Sequence, residues 1–240
     1  MSASFVKPCS ASLQAVMPAK VQPPAEPRIY VVYADADIIV LDKPSGLLSV
    51  PGRGPDKQDC LSTRVQAEFA NALVVHRLDM ATSGLIVMAR GATVQRALSQ
   101  AFANRTVAKR YEALVHGEIA PTGDDWRVID LPIAVDWPNR PLRAINMDTG
   151  KASVTRLQRL HFDAGRNASY VLLEPLTGRT HQLRLHLQAI GHPILGDALY
   201  APPTVVAMAP RLLLHACALG FNHPVSGVAL QFHRPMQPSA

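Results

Sequence analysis

Nine consecutive residues, His76-Arg77-Leu78-Asp79-Met80-Ala81-Thr82-Ser83-Gly84, crowd an imidazole, a cation, a carboxylate and two hydroxyls against the apolar run Leu85-Ile86-Val87-Met88-Ala89. Polar groups at the lip of a core strand must be hydrogen-bonded or put to use. Asp79 has the chemical reach here, since a carboxylate serves as a nucleophile or a general base. The same spacing also fits a plain turn, in which the Asp79 carboxylate caps the main chain at Thr82 or Ser83. The local sequence leaves both readings open.

Metal chemistry is not spelled out. The nine histidines form no ligand pattern, and His181 and His186 stand five apart, outside the i, i+4 spacing of a helical pair. Cys9, Cys60 and Cys217 are far apart, odd in number and without CxxC spacing. This argues for free thiols in a reducing cytoplasm, against a disulfide framework or zinc site.

The elements that must position Asp79 follow from residue patterns. Arg28–Tyr33 and Ile38–Leu41 are β-rich and read as a hairpin around Ala34-Asp35-Ala36-Asp37. A Pro/Gly-punctuated loop follows, and Leu61–Ala70 is a short helix candidate. Gly84–Ala89 reads as a fully apolar strand. In Ala92–Asn104, the residues Val94, Ala97, Leu98, Ala101 and Phe102 make one apolar stripe at helical spacing. Arg110–His116, Ala152–His161, Ser169–Glu174, Leu212–Leu219 and Val228–Phe232 are strand-like. Thr180–Ile190 is a second helix, with Thr180 as its expected N-cap and Gly191 then Pro193 ending it. Strands joined by hairpins, with few helices and no βαβ alternation, predict an α+β fold on a mixed, mainly antiparallel sheet.

The chain has 240 residues, 48% hydrophobic and 18% charged, the balance of a globular protein with a sizeable core. Neither a signal peptide nor an apolar run near the ~18 residues that cross a bilayer is present. Residues 1–27 are proline-punctuated and predict a flexible N-terminal tail ahead of one domain, 28–240. The net charge of +6 permits a polyanionic partner. Arg90, Arg96, Arg105, Lys109 and Arg110 fall in one stretch free of acidic residues, which fits a solvated face or a phosphate-binding one.

The segment around Asp79 resembles the HRLD-x-x-T-S-G motif of the RluA family of pseudouridine synthases. Lys43-Pro44-Ser45-Gly46, Lys109-Arg110-Tyr111, Thr177-Gly178-Arg179-Thr180-His181-Gln182-Leu183-Arg184, Gly191-His192-Pro193-Ile194-Leu195-Gly196-Asp197 and Leu213-Leu214-His215-Ala216 match further family segments in order. The resemblance runs from about Ile29 to about Pro235. Asp136-Trp137-Pro138-Asn139-Arg140-Pro141 and Leu48-Ser49-Val50-Pro51-Gly52-Arg53 are similar to its small, dual-specificity branch, which modifies 23S rRNA and a tRNA anticodon stem-loop. The region before Ile29 is too short for the S4 RNA-binding domain of larger relatives.

The resemblance implies the pseudouridine synthase fold, with a catalytic cleft across the sheet, and an isomerase acting on structured RNA. Such an enzyme breaks the N1–C1′ bond of a uridine, turns the uracil and rejoins it through C5, with no cofactor or metal required. Asp79 would be the carboxylate that acts on the sugar, by attack on C1′ or by removing a sugar proton. Arg179 would pair with Asp79, and Tyr111 would stack beneath the uracil. Arg77 would fill the gap left by the flipped base. Lys43, Arg53, Arg105, Lys109, Arg140 and Arg184 are further RNA-contact candidates. A monomeric enzyme in the cytoplasm is expected. The alternatives are a synthase specific for one RNA, a non-catalytic RNA-binding protein, and a hydrolase, which would need a second acid that the local sequence does not offer.

Overall fold

The structure is a computed structural model and describes residues 29–123 and 125–237. The tail expected over residues 1–27, Arg28 and Cys9 lie outside the described residues. The chain opens with the antiparallel hairpin β1 (Val31–Ala34) and β2 (Ile38–Lys43). Its turn is set by Asp35, whose Oδ1 accepts the amides of Asp37 and Ile38, both at 2.8 Å. Then come α1 (Leu61–Glu68), β3 (Ala72–Val74), β4 (Ser83–Arg90), α2 (Ala92–Ala103) and β5 (Ala108–His116). Three short strands follow, β6 (Arg127–Asp130), β7 (Ile133–Val135) and β8 (Arg143–Ile145). The long pair β9 (Val154–Asp163) and β10 (Ala168–Pro175) leads to α3 (Gln182–Ala189) and the single turn α4 (Pro203–Val206). β11 (Leu214–Asn222) and β12 (Ala229–His233) close the fold.

One ten-stranded sheet runs β1-β2-β4-β11-β5-β10-β9-β6, with β3 added at β4 and β12 at β11; β7 and β8 form a separate hairpin. Among the described strands only β4 and β11 pair in parallel. The fold is therefore α+β on a mixed, mainly antiparallel sheet, as the strand pattern predicts.

The central runs Ile38–Leu41 of β2 and Leu85–Ala89 of β4 are apolar because both faces are covered. Ile38, Val40, Leu85 and Val87 face a cluster that includes Val94 and Leu98 of α2. Ile39, Leu41, Ile86 and Met88 face another that includes Leu61 and Val65 of α1. Alternate residues thus supply two cores, which is why no polar alternation shows in the sequence. A third cluster, with Leu114, Val171, Leu173, Leu183 and Leu187, lies under α3. Tyr111 packs against both this cluster and the one beneath α1, so it stands where they meet.

α2 matches its expected range, although Ala97 of the apolar stripe is exposed. α3 starts later than its sequence pattern implies. Thr180 is not its N-cap; His181 occupies that position in a left-handed conformation (φ 58°, ψ 16°), and Gln182 opens the helix. Gly191 ends it with φ 86°, a conformation that costs glycine little. Among the described residues, no helix is long and apolar enough to cross a membrane.

Candidate active site

The Asp79 loop is held by its main chain. Ser49 Oγ donates to the Leu78 carbonyl (2.7 Å) and accepts the Leu78 amide (3.1 Å). Ser45 Oγ donates to Ala81 O at 2.7 Å, and the Gly46 amide to Met80 O at 2.9 Å. Beneath them Lys43, wholly buried, spends its donors on the carbonyls of Pro44 (2.8 Å), Leu47 (2.8 Å) and Met80 (3.1 Å). Burial pushes the Lys43 ammonium down to about 7, against the pull of Asp79. At the far end, His215 donates from Nε2 to Arg234 O (2.9 Å), so its Nδ1 accepts the Ser83 hydroxyl (2.9 Å). His76 and Leu78 serve the frame too: His76 Nε2 accepts the Val87 amide at 3.1 Å, its ring stacks on Phe102, and Leu78 is buried.

This bonding sets aside the capping reading of Asp79. The turn is closed by the main chain, with Thr82 N donating to the Asp79 carbonyl at 3.1 Å. The carboxylate faces a pocket instead, with Arg184 Nη1 at 3.6 Å and His181 Nε2 at 3.8 Å from Oδ2. Arg184 is buried and gripped from behind by Asp197, at 2.9 Å from Nε and 2.5 Å from Nη2. Burial opposes the charge of Arg184, but the bond to Asp197 and the fields of both carboxylates outweigh it, and its pKa is raised. Asp197 is the second acid that the local sequence does not reveal. It is buried and committed to Arg184 and to the amides of Leu199 and Tyr200, which leaves no acid–base role at a substrate.

Tyr200 supports the other neighbour. Its Oη accepts the Arg143 amide at 3.0 Å and lies 2.7 Å from His181 Nδ1. The phenol then donates to Nδ1, which leaves the proton of a neutral His181 on Nε2, the nitrogen facing Asp79. Burial lowers the His181 pKa, against the pull of Asp79. A histidine in left-handed backbone stores strain of about 1–2 kcal/mol, and here it turns the imidazole toward the carboxylate.

The pocket has a volume of about 100 Å³ and is lined by Asp79, Tyr111, Thr177, Arg179, Arg184 and Leu214, among others. Burial, and then the charge of Asp79, push the Tyr111 phenol upward, so it stays protonated at neutral pH. Gln182 fixes the opposite rim. Its Oε1 accepts the Thr177 hydroxyl (2.8 Å) and the Arg179 amide (3.0 Å), while Nε2 donates to Val154 O and Thr155 Oγ1, both at 3.0 Å.

Three expected roles are corrected. Arg179 is exposed on the rim, its Nε bonded to Ala152 O at 3.3 Å, and the arginine beside Asp79 is Arg184. The left-handed turn at His181 and the late start of α3 aim the first helical arginine inward. Arg184 is consequently no RNA contact, because it is buried between two carboxylates. Lys43 is none either, being wholly buried with its donors taken. Arg77 is exposed beside Asp79. Arg105 and Lys109 line a second cleft of about 410 Å³ that shares Tyr111, Thr177, Gly178 and Arg179 with the pocket. Arg53 is exposed and is not among the pocket's lining residues, and Arg140 is exposed with its guanidinium 3.6 Å from the Trp137 ring centre. Arg90 serves the fold, donating to Asp35 O at 2.6 Å. Asp197, Tyr200, Gln182 and His181 received no role from the sequence, although three of them lie in its quoted motifs.

Sequence and structure comparisons give a consistent result. The family profile described as RNA pseudouridylate synthase matches residues 37–189. The chain is 47% identical over 213 residues to the dual-specificity RNA pseudouridine synthase RluA of Escherichia coli K12, covering 89% of this chain and 95% of that one. It is 49% identical over 202 residues to the protein of the same name from Yersinia pestis, covering 84% and 96%. Among solved structures, human RNA pseudouridylate synthase domain containing 1 superposes with a TM-score of 0.74 at 28% identity, over 90% of this chain and 86% of that one. Human RNA pseudouridylate synthase domain containing 4 gives 0.68 at 25% identity, over 87% and 88%.

Proposed function

The chain belongs to the RNA pseudouridylate synthase family, and from that premise we propose that it isomerises uridines in both 23S rRNA and a tRNA anticodon stem-loop, with Asp79 acting on the sugar. The observation that carries the assignment to Asp79 is its setting. It is a half-buried carboxylate on a loop braced at the carbonyls of Leu78, Met80 and Ala81, facing a small pocket with Arg184 on one side and Tyr111 in the wall. The dual substrate range rests on the names of the relatives and on the Asp136–Pro141 motif.

An isomerisation leaves atoms and electrons unchanged overall. The N1–C1′ bond breaks, the uracil turns within the pocket, a C5–C1′ bond forms and the proton from C5 moves to nitrogen. Asp79 meets the need at the sugar by either of two routes, attack on C1′ or removal of a sugar proton. Arg184 sets a positive charge 3.6 Å from the carboxylate, and Asp197 keeps Arg184 in place. The face of Tyr111 holds the base, and its protonated phenol is available for proton transfer. Arg77 enters the stack vacated by the base, offsetting part of an unstacking cost of a few kcal/mol. On this reading the enzyme works as a monomer in the cytoplasm.

The test is tritium release from RNA labelled at uridine C5, with a tRNA anticodon stem-loop and a 23S fragment assayed in parallel. The wild-type chain should release label from both. Asp79→Asn should bind each RNA with near-native affinity and release none. Full activity in that variant removes Asp79 from the chemistry; release from one RNA only narrows the substrate range.

A further inference from the structure

Beside the catalytic pocket lies a larger groove of about 890 Å³, lined by Val135, Trp137, Arg143, Lys151 and Arg179, among others. It shares Gly178 and Arg179 with the pocket, so the two are joined along one wall. Trp137 is 68% exposed, an unusual state for the largest apolar side chain. It is not loosely held. The Asp136 carboxylate binds the Asn139 amide and side chain at 3.1–3.3 Å, and Asp136 N and Leu142 N close the loop onto Leu142 O and Asn139 O. The Arg140 guanidinium, 3.6 Å from the ring centre, occupies one face of the indole. Among the described residues no second ring or cation lies over the indole, which leaves its other face for a ligand. Arg143, Lys151 and Arg179 bring cations to the groove, and its one lining carboxylate, Asp136, is engaged with Asn139.

We infer that this groove takes a second nucleotide of the substrate strand, an unpaired neighbour of the target uridine, with its base on the open face of Trp137 and its phosphates on Arg143, Lys151 and Arg179. The inference rests on the RNA reading above and extends it to how the loop is recognised. A flat π surface beside spaced cations suits a single-stranded nucleotide, since every base has a face to stack and every linkage a charge. Continuity with the catalytic pocket selects the occupant. A strand that delivers its uridine to Asp79 has two ways out past Gly178 and Arg179, this groove and the cleft of Arg105 and Lys109, one for each side of the target. Trp137 would set which loops can be processed by requiring a flanking nucleotide that can also leave the stack.

The chain has two tryptophans, which makes the site directly readable. Trp126 lies between the guanidinium groups of Arg110 and Arg156, at 5.8 and 4.7 Å, outside the groove. In a Trp126→Phe protein all indole emission comes from Trp137. Adding an anticodon stem-loop should quench that emission, and an abasic residue at one position flanking the target uridine should abolish the quench. In the same background Trp137→Leu should raise KM for tritium release from the intact stem-loop by about 10- to 100-fold. It should cost nothing further against the abasic RNA, because partners in one contact are not additive. No quench with an RNA that is turned over, a quench that survives every abasic position, or an unchanged KM would each overturn the inference. A quench without any tritium release would instead remove the synthase reading and leave the groove as an RNA site.

Discussion

Arg184 spans two carboxylates, its Nη1 3.6 Å from Asp79 Oδ2 while Nε and Nη2 bind Asp197. The pair with Asp79 is open enough to yield to a substrate, and the pair with Asp197 is closed. One guanidinium is thus both an anchored part of the frame and a source of field at the Asp79 carboxylate.

Arg184→Lys keeps the charge but loses the fork that fits Asp197. Misplacement of the cation should lower kcat for tritium release by about 10- to 100-fold with a smaller change in KM. Arg179→Gln, on the exposed rim, should raise KM more than it lowers kcat. The reverse pattern in steady-state kinetics would return the carboxylate-holding role to Arg179.

Gln182 makes four hydrogen bonds, all to groups at the rim of the pocket or beneath it. Gln182→Ala orphans buried partners and should cost about 2–5 kcal/mol of stability. Urea denaturation should show a lower midpoint at an unchanged slope. A loss under 1 kcal/mol would mean that the rim is held by other bonds.

Lys43 supplies a pH dependence of known sign. Its ammonium is pushed down by burial to about 7 in the folded chain, against 10.5 for an unperturbed lysine. Between those values the unfolded chain binds the extra proton, so stability rises with pH, by at most about 1.4 kcal/mol per unit. The contribution is complete above 10.5 and gone below about 7. Relative to Lys43→Met, the wild type should therefore gain stability between pH 7 and 9 in urea titrations. Parallel curves for the two proteins would show that Lys43 stays charged in its cage of carbonyls.

Arg105 and Lys109 line the second cleft, next to Tyr111 and Arg179. If phosphates run there, Arg105→Gln and Lys109→Gln should each weaken RNA binding and reduce the slope of log K against log salt by about 1. Filter binding between 50 and 200 mM salt reads this directly. An unchanged slope would make the pair a solvated face.

The sequence carried the sheet and the position of Asp79 well, for identifiable reasons. The central runs of β2 and β4 are apolar on both faces, α2 has a 3.6-residue stripe, and Asp79 precedes a core strand in a polar turn. The short strands β6, β7 and β8 were not readable, since three or four residues hold too little of a period to register. The choice between Arg179 and Arg184 was equally hidden, because it depends on the left-handed turn at His181. Lys43 is an RNA-contact candidate by sequence; the carbonyls of Pro44, Leu47 and Met80, which have no signature in residue type, make its burial tolerable. Asp197 lies eighteen residues beyond Arg179 and meets the site only through α3 and the turn after it.

Gly84 follows the Asp79 loop at φ 109°, where β4 meets β11, and a Cβ placed on it would collide with the main chain of Ala216. The parallel contact joins residues more than a hundred positions apart, so the seam at Asp79 closes only after the C-terminal strand has been made. A partly synthesised or C-terminally truncated chain would carry every residue of the Asp79 motif without its backing. The backing of the Asp79 loop thus depends on the C-terminal strand, through a glycine with no side chain of its own.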